Sequence, residues 1–279
     1  MLLKKGSDGD DVKELQSLLN LNADGIFGSG TEDAVKAFQT AHGLTADGIV
    51  GNGTWAALHT AAEPVVAATP GTVNFAKLSG KIPAAIVAIF PDAFSKYEIN
   101  SPLRAAHFLA QIAHESGDFT IKTESMNYST PARIAEIWPS RFNLTGADGK
   151  KNANDYINNQ EKLAEAVYGR RMGNDNPGDG FRFRGGGWLQ LTGKDAYKGY
   201  ANYLQKSVEE TADLLRSDNH YALDAACWEY CINMKLNRIA DQGTGDDVVK
   251  KITKIVNGGY IGLPDRLAHF KTYLGLLNS

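Results

Sequence analysis

Two glutamates, Glu115 and Glu124, stand nine positions apart in the stretch "HESGDFTIKTES" (His114–Ser125). Two carboxyls can work as general acid and general base on one bond if one stays protonated and both reach the same substrate. The spacing alone also fits two surface charges, so the neighbourhood of each residue has to decide.

Glu115 ends a helical pattern. In "NSPLRAAHFLAQIAHESGDF", Ser101 is a good N-cap and Pro102 a good first helical residue. Ala105, Phe108, Leu109 and Ile112 form an apolar stripe that Glu115 and Ser116 continue, and Gly117 stops the helix. A carboxyl at the end of a core-facing stripe loses hydration, which disfavours its charged form and suits a general acid. The alternative is a glutamate turned to solvent at a frayed helix end. On one continuous helix Glu124 would point the other way, two and a half turns on. The Ser-Gly-Asp break at 116–118 removes that obstacle, because "FTIKTES" can return as an extended segment beside the helix end. Inverting glycosidases hold their two carboxyls roughly 6.5–9.5 Å apart, with room for a water.

Other chemistries fit less well. A zinc protease needs H-E-x-x-H, but Asp118 occupies the fifth position, and His107 and His114 are seven apart. No metal and no cofactor is expected, and His114 reads as a packed or hydrogen-bonded neighbour of the site. Cys227 and Cys231, in "AACWEYCINMKL", have no further ligands nearby and read as buried structural thiols one helical turn apart. In "FRFRGGGWLQLTG" (181–193), Gly185, Gly186 and Gly187 allow a backbone to approach a sugar, while Trp188 is assigned to the core. Gln190 and Thr192 alternate with Leu189 and Leu191, so an extended segment would present an amide and a hydroxyl on one side, as a wall that positions water requires.

The chain that carries these residues has 279 of them, 43% hydrophobic and 22% charged, with a net charge of −3. That balance argues against nucleic-acid binding. No run approaches the roughly 18–20 apolar residues of a membrane span. The opening "MLLKKGSDGDD" lacks an apolar h-region, so no signal peptide is expected. The protein would then begin in the cytoplasm of the cell that makes it, and to act outside it would need something else to release it. Nothing calls for an oligomer, and a monomer is expected.

An internal echo marks the first ~60 residues: "ADGIFGSGT" from Ala23 and "ADGIVGNGT" from Ala46. In each, Asp-Gly makes a turn and a threonine stands where it could cap the next helix. With an earlier helix over about Asp10–Leu19 this predicts a three-helix unit over 1–61. The inner positions would be Val12, Leu15, Leu18, Leu19, Ala34, Val35, Phe38 and Ala41. Residues 62–72, within "TAAEPVVAATPGT", read as a linker. Residues 73–279 read as a larger, mainly α domain. Its helical patterns lie near 81–97, 102–115, 131–137, 160–170, 194–204, 208–216, 220–236 and 246–256, with Gly- and Asn-rich loops at 140–156 and 173–187.

Two resemblances rest on these motifs. "GSDGDDVKELQSLLN" with the doubled DGxxGxxT turn resembles the peptidoglycan-binding modules of cell-wall hydrolases, which implies attachment to peptidoglycan. "AHESGDF", "ESMNYS", "YGRRMGN", "FRGGGWLQLTG" and "VNGGYIGLPDR", in that order, resemble the catalytic domain of family-19 glycoside hydrolases. That family includes chitinases and phage endolysins, and the whole chain is similar to a modular endolysin. The resemblance implies a lysozyme-like α-helical catalytic domain with Glu115 as general acid and Glu124 as general base. It also implies Thr192 as the hydroxyl that holds the attacking water, with Gln190, Asn257 and Tyr128 contacting substrate. Arg184, Arg266 and Arg170 match arginines that organise the acidic pair or brace the cleft, the first two being placed at the substrate; Arg171 is read as a solvated charge. Short loops and few cysteines favour a wall muramidase over a chitinase. A non-catalytic wall-binding protein and a lytic transglycosylase are the remaining readings.

Overall fold

The computed structural model describes residues 2–19, 21–62 and 73–279. The expected linker therefore lies outside the described residues, except for Ala62, the last residue of a helix. The protein is mainly α, as expected. The chain divides into two compact units, Met1–His114 with Cys227–Ser279, and Glu115–Ala226.

In the first unit, the helices Asp10–Leu18, Ser29–Ala41 and Asn52–Ala62 enclose a small core of Leu3, Val12, Leu15, Phe27, Val35, Val50, Trp55 and Leu58. The sequence echo is reproduced bond for bond by two glutamines. Gln16 Nε2 donates to Asp24 Oδ1 (2.7 Å) and the Ile26 carbonyl (3.0 Å), while its Oε1 accepts from Gly25 N (2.8 Å). Gln39 makes the same set with Asp47 (2.9 Å), Ile49 (2.9 Å) and Gly48 (2.9 Å). Both glutamines are buried, whereas Ala41, expected to face inward, is exposed. A buried amide that satisfies a turn's backbone outweighs the apolar periodicity at that position. The threonines differ from expectation as well. Gly28 is the N-cap of Ser29–Ala41, and Thr31, inside the first turn, accepts from Gln16 Nε2 at 3.2 Å. Thr54 accepts from Gln39 Nε2 at the same distance. Each hydroxyl ties its helix to the preceding turn instead of capping it.

Further along this unit, the single helix expected over 81–97 is two short ones, Ala84–Val87 and Phe90–Lys96, the second carrying Pro91 in its first turn. Pro91 offers no N–H to the preceding turn, so the pattern breaks there. Phe90, Phe94, Phe108 and Tyr230 build an aromatic core with successive ring centroids 5.0–5.4 Å apart. Arg104 holds Asp241 through two bonds of 2.7 and 2.5 Å. The pattern at 220–236 divides into Asn219–Cys227 and a π-helical turn, Trp228–Asn233. Cys227 is buried and Cys231 half-buried, and neither is in a disulfide. Burial holds the Cys231 thiol well above its ordinary range, which suits a packed group rather than a nucleophile. The helix Leu263–Leu277 is an addition to the expected ones; Pro264 opens it and Arg266, Phe270, Tyr273 and Leu277 supply its buried face.

Lys254, on the helix Asp246–Asn257, joins this helix to the N-terminal three-helix part. Its ammonium pairs with Asp11 (2.8 Å) and Glu14 and lies 4.9 Å from the centroid of the Trp55 ring. The side chain is 6% exposed.

The second unit contains Pro131–Ile137, Gln160–Tyr168, Lys194–Leu204, Val208–Ser217 and most of Asn219–Cys227. The loop over 140–156 is pinned by a two-residue parallel pairing, Phe142–Asn143 with Lys151–Asn152. Beneath it Met126, Ile134, Phe142, Leu163 and Val167 are buried together.

Candidate active site

The helix leading to Glu115 begins as expected: Ser101 Oγ accepts from the Arg104 N–H at 3.2 Å, and the helix runs Pro102–Ser116. Glu115, in its last turn, is half-buried. Three successive left-handed residues then end it: Gly117 (φ 55°), Asp118 (φ 55°) and Phe119 (φ 65°). Glycine enters that region freely and aspartate tolerates it, but a phenylalanine there costs about 1–2 kcal/mol. Phe119 is 7% exposed and meets Trp188 edge-on at 5.5 Å, a contact that offsets the cost. Ser116 closes the turn, its Oγ accepting from Phe119 N (2.8 Å) and its carbonyl from Thr120 N (3.1 Å) and Ile121 N (2.8 Å).

The chain then returns extended. Thr123 pairs antiparallel with Gly186, which pairs in turn with Leu191. Glu124 N–H donates to the Gly185 carbonyl at 2.9 Å, so Glu124 lies next to these two isolated pairings. Among the described residues each carboxylate oxygen has one donor: Oε1 accepts from the Tyr168 hydroxyl at 2.7 Å, Oε2 from Gly185 N–H at 3.0 Å. An ionised carboxylate has about four lone-pair sites, so both oxygens keep capacity for a further partner such as water. Burial, then the Glu124 charge, hold the Tyr168 phenol far above its ordinary range, so it remains a donor.

Gly185 leaves no room for a side chain beside the carboxylate. A Cβ there would stand 2.6 Å from Gln190 Oε1 and 3.1 Å from Glu124 Cβ. The glycine thus lets Glu124 and the Gln190 amide close on the same backbone. The expected extended run through 189–192 does not occur: Gly187–Gln190 form a tight turn, with Gln190 at φ 53°, between Gly186 and Leu191. Gln190 Nε2 donates to the Gly187 carbonyl (2.8 Å) and Thr192 Oγ1 to the Gln190 carbonyl (2.7 Å). Gly187 takes the other left-handed position of the turn (φ 74°). Leu–polar alternation resembles a strand, but the glycines before it make a hairpin tip cheaper. Trp188 is 1% exposed, a core residue as expected.

Arg184 donates from Nε to the Glu124 carbonyl (3.2 Å) and from Nη1 to the Phe181 carbonyl (2.6 Å), with its guanidinium 3.9 Å from the Phe181 ring centroid. It ties the main chain at Glu124 to the main chain at Phe181. Tyr128 is half-buried, its ring edge-on to Trp138 at 5.5 Å; burial, then the Glu124 charge, raise its phenol. Arg170 and Arg171 are exposed. The second unit thus brings Glu124, Tyr128, Arg184 and Gln190 to one neighbourhood, with Thr192 anchored to Gln190.

Asn257 and Arg266 belong to the first unit. Asn257 closes the helix Asp246–Asn257, and its Oδ1 is buried with no donor among the described residues. Arg266 is fully buried and donates to Gln111 Oε1 (2.6 Å) and the Ile261 carbonyl (3.3 Å), surroundings that fit a brace rather than an exposed sugar contact. His114 is hydrogen-bonded as expected, its Nδ1 2.7 Å from Asp265 Oδ2. Sequence reasoning misses Tyr168. It opens the "YGRRMGN" block, where the arginines draw the eye, and nothing local pairs it with a glutamate 44 residues earlier.

Residues 8–58 match the family described as a peptidoglycan binding domain. Over 174 residues the chain is 28% identical to a glycosyl hydrolase family 19 domain-containing protein of Haemophilus influenzae, covering 62% of this chain and 79% of that protein. Among solved structures it is similar to a bacterial family 19 chitinase (19% identity, 74% of this chain, 94% of that one, TM-score 0.46). It is also similar to chitinase C from Streptomyces griseus HUT6037 (16% identity, 76% and 79% covered, TM-score 0.45). A Burkholderia AP3 phage endolysin is similar over 98% of this chain and 97% of that one, at 18% identity and a TM-score of 0.34. The chain is a modular protein that joins a peptidoglycan-binding-type module to a region similar to family-19 glycoside hydrolases.

Proposed function

We propose that the protein is a bacterial cell-wall glycosidase, an endolysin-type muramidase that cleaves peptidoglycan glycan strands with inversion. The observation that carries this reading is the carboxylate of Glu124, held at both oxygens by single donors and left with lone pairs to spare. That is the arrangement a general base needs to take a proton from a water it also orients. Glu115, half-buried at the end of its helix, is the general acid that protonates the glycosidic oxygen. As the bond to the leaving sugar breaks, water attacks the anomeric carbon from the opposite face and gives its proton to Glu124. The Gln190 amide beside Gly185, the Thr192 hydroxyl and Tyr128 line the route of water and sugar. Asn257, half-buried at the end of its helix, is a further substrate contact. Residues 1–61 supply attachment to the wall, 73–279 the chemistry, and the protein works as a monomer without a cofactor.

The test is a digest of purified peptidoglycan, reduced with borohydride and read by mass spectrometry, with Glu115→Gln as control. Reduced muramic acid at the new ends, absent with the variant, is the expected result. Reduced glucosamine ends would move the cut to the other bond, and anhydro ends would mean a lytic transglycosylase. Cleavage of chitin oligomers alone would mean a chitinase, and tight wall binding without new ends would remove the enzyme reading.

A further inference from the structure

The proposed mechanism gives Tyr168 no part, yet among the described residues its hydroxyl is the side-chain donor to the Glu124 carboxylate. The other bond to that carboxylate comes from the Gly185 main chain. We propose that Tyr168 is a positioning residue for Glu124, fixing which lone pair of the carboxylate faces the attacking water. This rests on the reading of Glu124 as the general base.

Three observations converge on it. First, the two donors grip different oxygens, so together they set the rotation of the carboxylate plane; either one alone would leave the group free to turn. Second, Tyr168 is itself held firmly. It is the last residue of the helix Gln160–Tyr168, and its carbonyl accepts from Asn174 Nδ2 at 2.9 Å. Asn174 is fully buried, and its Oδ1 accepts from Lys194 N at 2.9 Å, which ties the tyrosine to the start of the Lys194–Leu204 helix. Third, the phenol cannot exchange roles with the carboxylate. Its burial keeps the proton on oxygen, so it donates throughout the cycle while Glu124 receives and releases protons.

A helix terminus, a buried asparagine and a phenol thus form one rigid arm that ends on a carboxylate oxygen. A base aligned this way requires little reorganisation at the moment of attack. Tyr168 does not touch the reacting atoms and acts only through Glu124.

The experiment compares wild type, Tyr168→Phe, Glu124→Gln and the double variant on purified peptidoglycan, measuring kcat, KM and melting temperature for each. Tyr168→Phe removes one oxygen from the side chain and keeps the ring. A hydrogen bond to a charged group of this strength corresponds to about a 10- to 100-fold effect. Tyr168→Phe is expected to lower kcat by that factor with KM nearly unchanged. In the Glu124→Gln background the same substitution should change the residual rate by less than about twofold.

An unchanged kcat in Tyr168→Phe, with Glu124→Gln reduced to a small residual rate, would overturn the positioning role and leave the general base in place. A Glu124→Gln rate close to wild type would overturn the general-base reading itself. Equal losses from Tyr168→Phe in both backgrounds, or a loss confined to KM, would mean a structural or substrate-binding tyrosine and also overturn the proposal. Should Tyr168→Phe melt well below wild type, Asn174→Ala, which loosens the arm while keeping the phenol, must lower kcat in the same sense or the proposal fails.

Discussion

The ammonium of Lys254 lies over the Trp55 ring, 4.9 Å from its centroid, while it pairs with Asp11 and Glu14. A buried cation with two carboxylates and an indole face is well satisfied, although burial alone would disfavour its charge. Lys254→Met keeps the stem and removes the charge. The carboxylates stay about a third exposed and can be hydrated, so the expected loss is modest, about 1–2 kcal/mol. Denaturant titrations of Lys254→Met, of Asp11→Asn with Glu14→Gln, and of all three together should give strongly non-additive losses. Simple additivity would mean that the ion pairs contribute nothing measurable.

Gly185→Ala places a methyl group between Glu124 and Gln190. The amide end of Gln190 can swing away, but Glu124 Cβ at 3.1 Å is fixed by the main-chain bond between Glu124 and Gly185. We expect kcat to fall at least about 10-fold, with a stability loss of about 1–3 kcal/mol, since a methyl forced into a packed site costs that much. An active Gly185→Ala enzyme would show that the closeness of these groups is unimportant for turnover.

His107 gives a pH dependence of stability. It is fully buried, its Nε2 2.9 Å from the Gly243 carbonyl and its ring stacked 4.1 Å from Phe270; burial, only partly opposed by that carbonyl and by Asp241, brings its pKa down to about 4. The unfolded chain binds the proton near the ordinary value of 6.5. The stabilisation from neutral His107 is therefore complete above about pH 6.5 and is lost as pH falls toward 4, by about 3 kcal/mol in all. Melting temperatures between about pH 7 and about pH 4.5 should fall more steeply for wild type than for His107→Gln. Parallel slopes would contradict this.

Legibility in the sequence tracks the range of the interaction that decides each feature. The Glu115 helix, its Ser101 cap and its Gly117 stop are local, and the residues spell them out. So is the return of the Glu124 segment after the break. The turn at Gln190 is harder to read because Leu–polar alternation is shared by strands and by hairpin tips, and only pairing between Gly186 and Leu191 separates them. Tyr168 and Lys254 are invisible because their partners lie far away in the chain: 44 residues from Tyr168 to Glu124 and 240 from Lys254 to Glu14. Gln16 and Gln39 escape notice for a different reason. Polar residues on a helix are assigned to solvent by pattern, whereas these two face the turns that they hold closed.

Gln16→Leu and Gln39→Leu each strip one turn of its amide and should destabilise the protein by about 2–3 kcal/mol, since buried backbone groups lose their partners. The two copies are matched, but the helices that come after them are not. Only the second leads into the helix that carries Trp55, the residue under Lys254. The molecule therefore contains its own reference experiment. The Gln16 variant reports the intrinsic worth of the turn, and any excess in the Gln39 variant measures how far strain in that turn propagates to the Lys254 contact. Equal losses would mean that the duplicated halves answer to local chemistry alone.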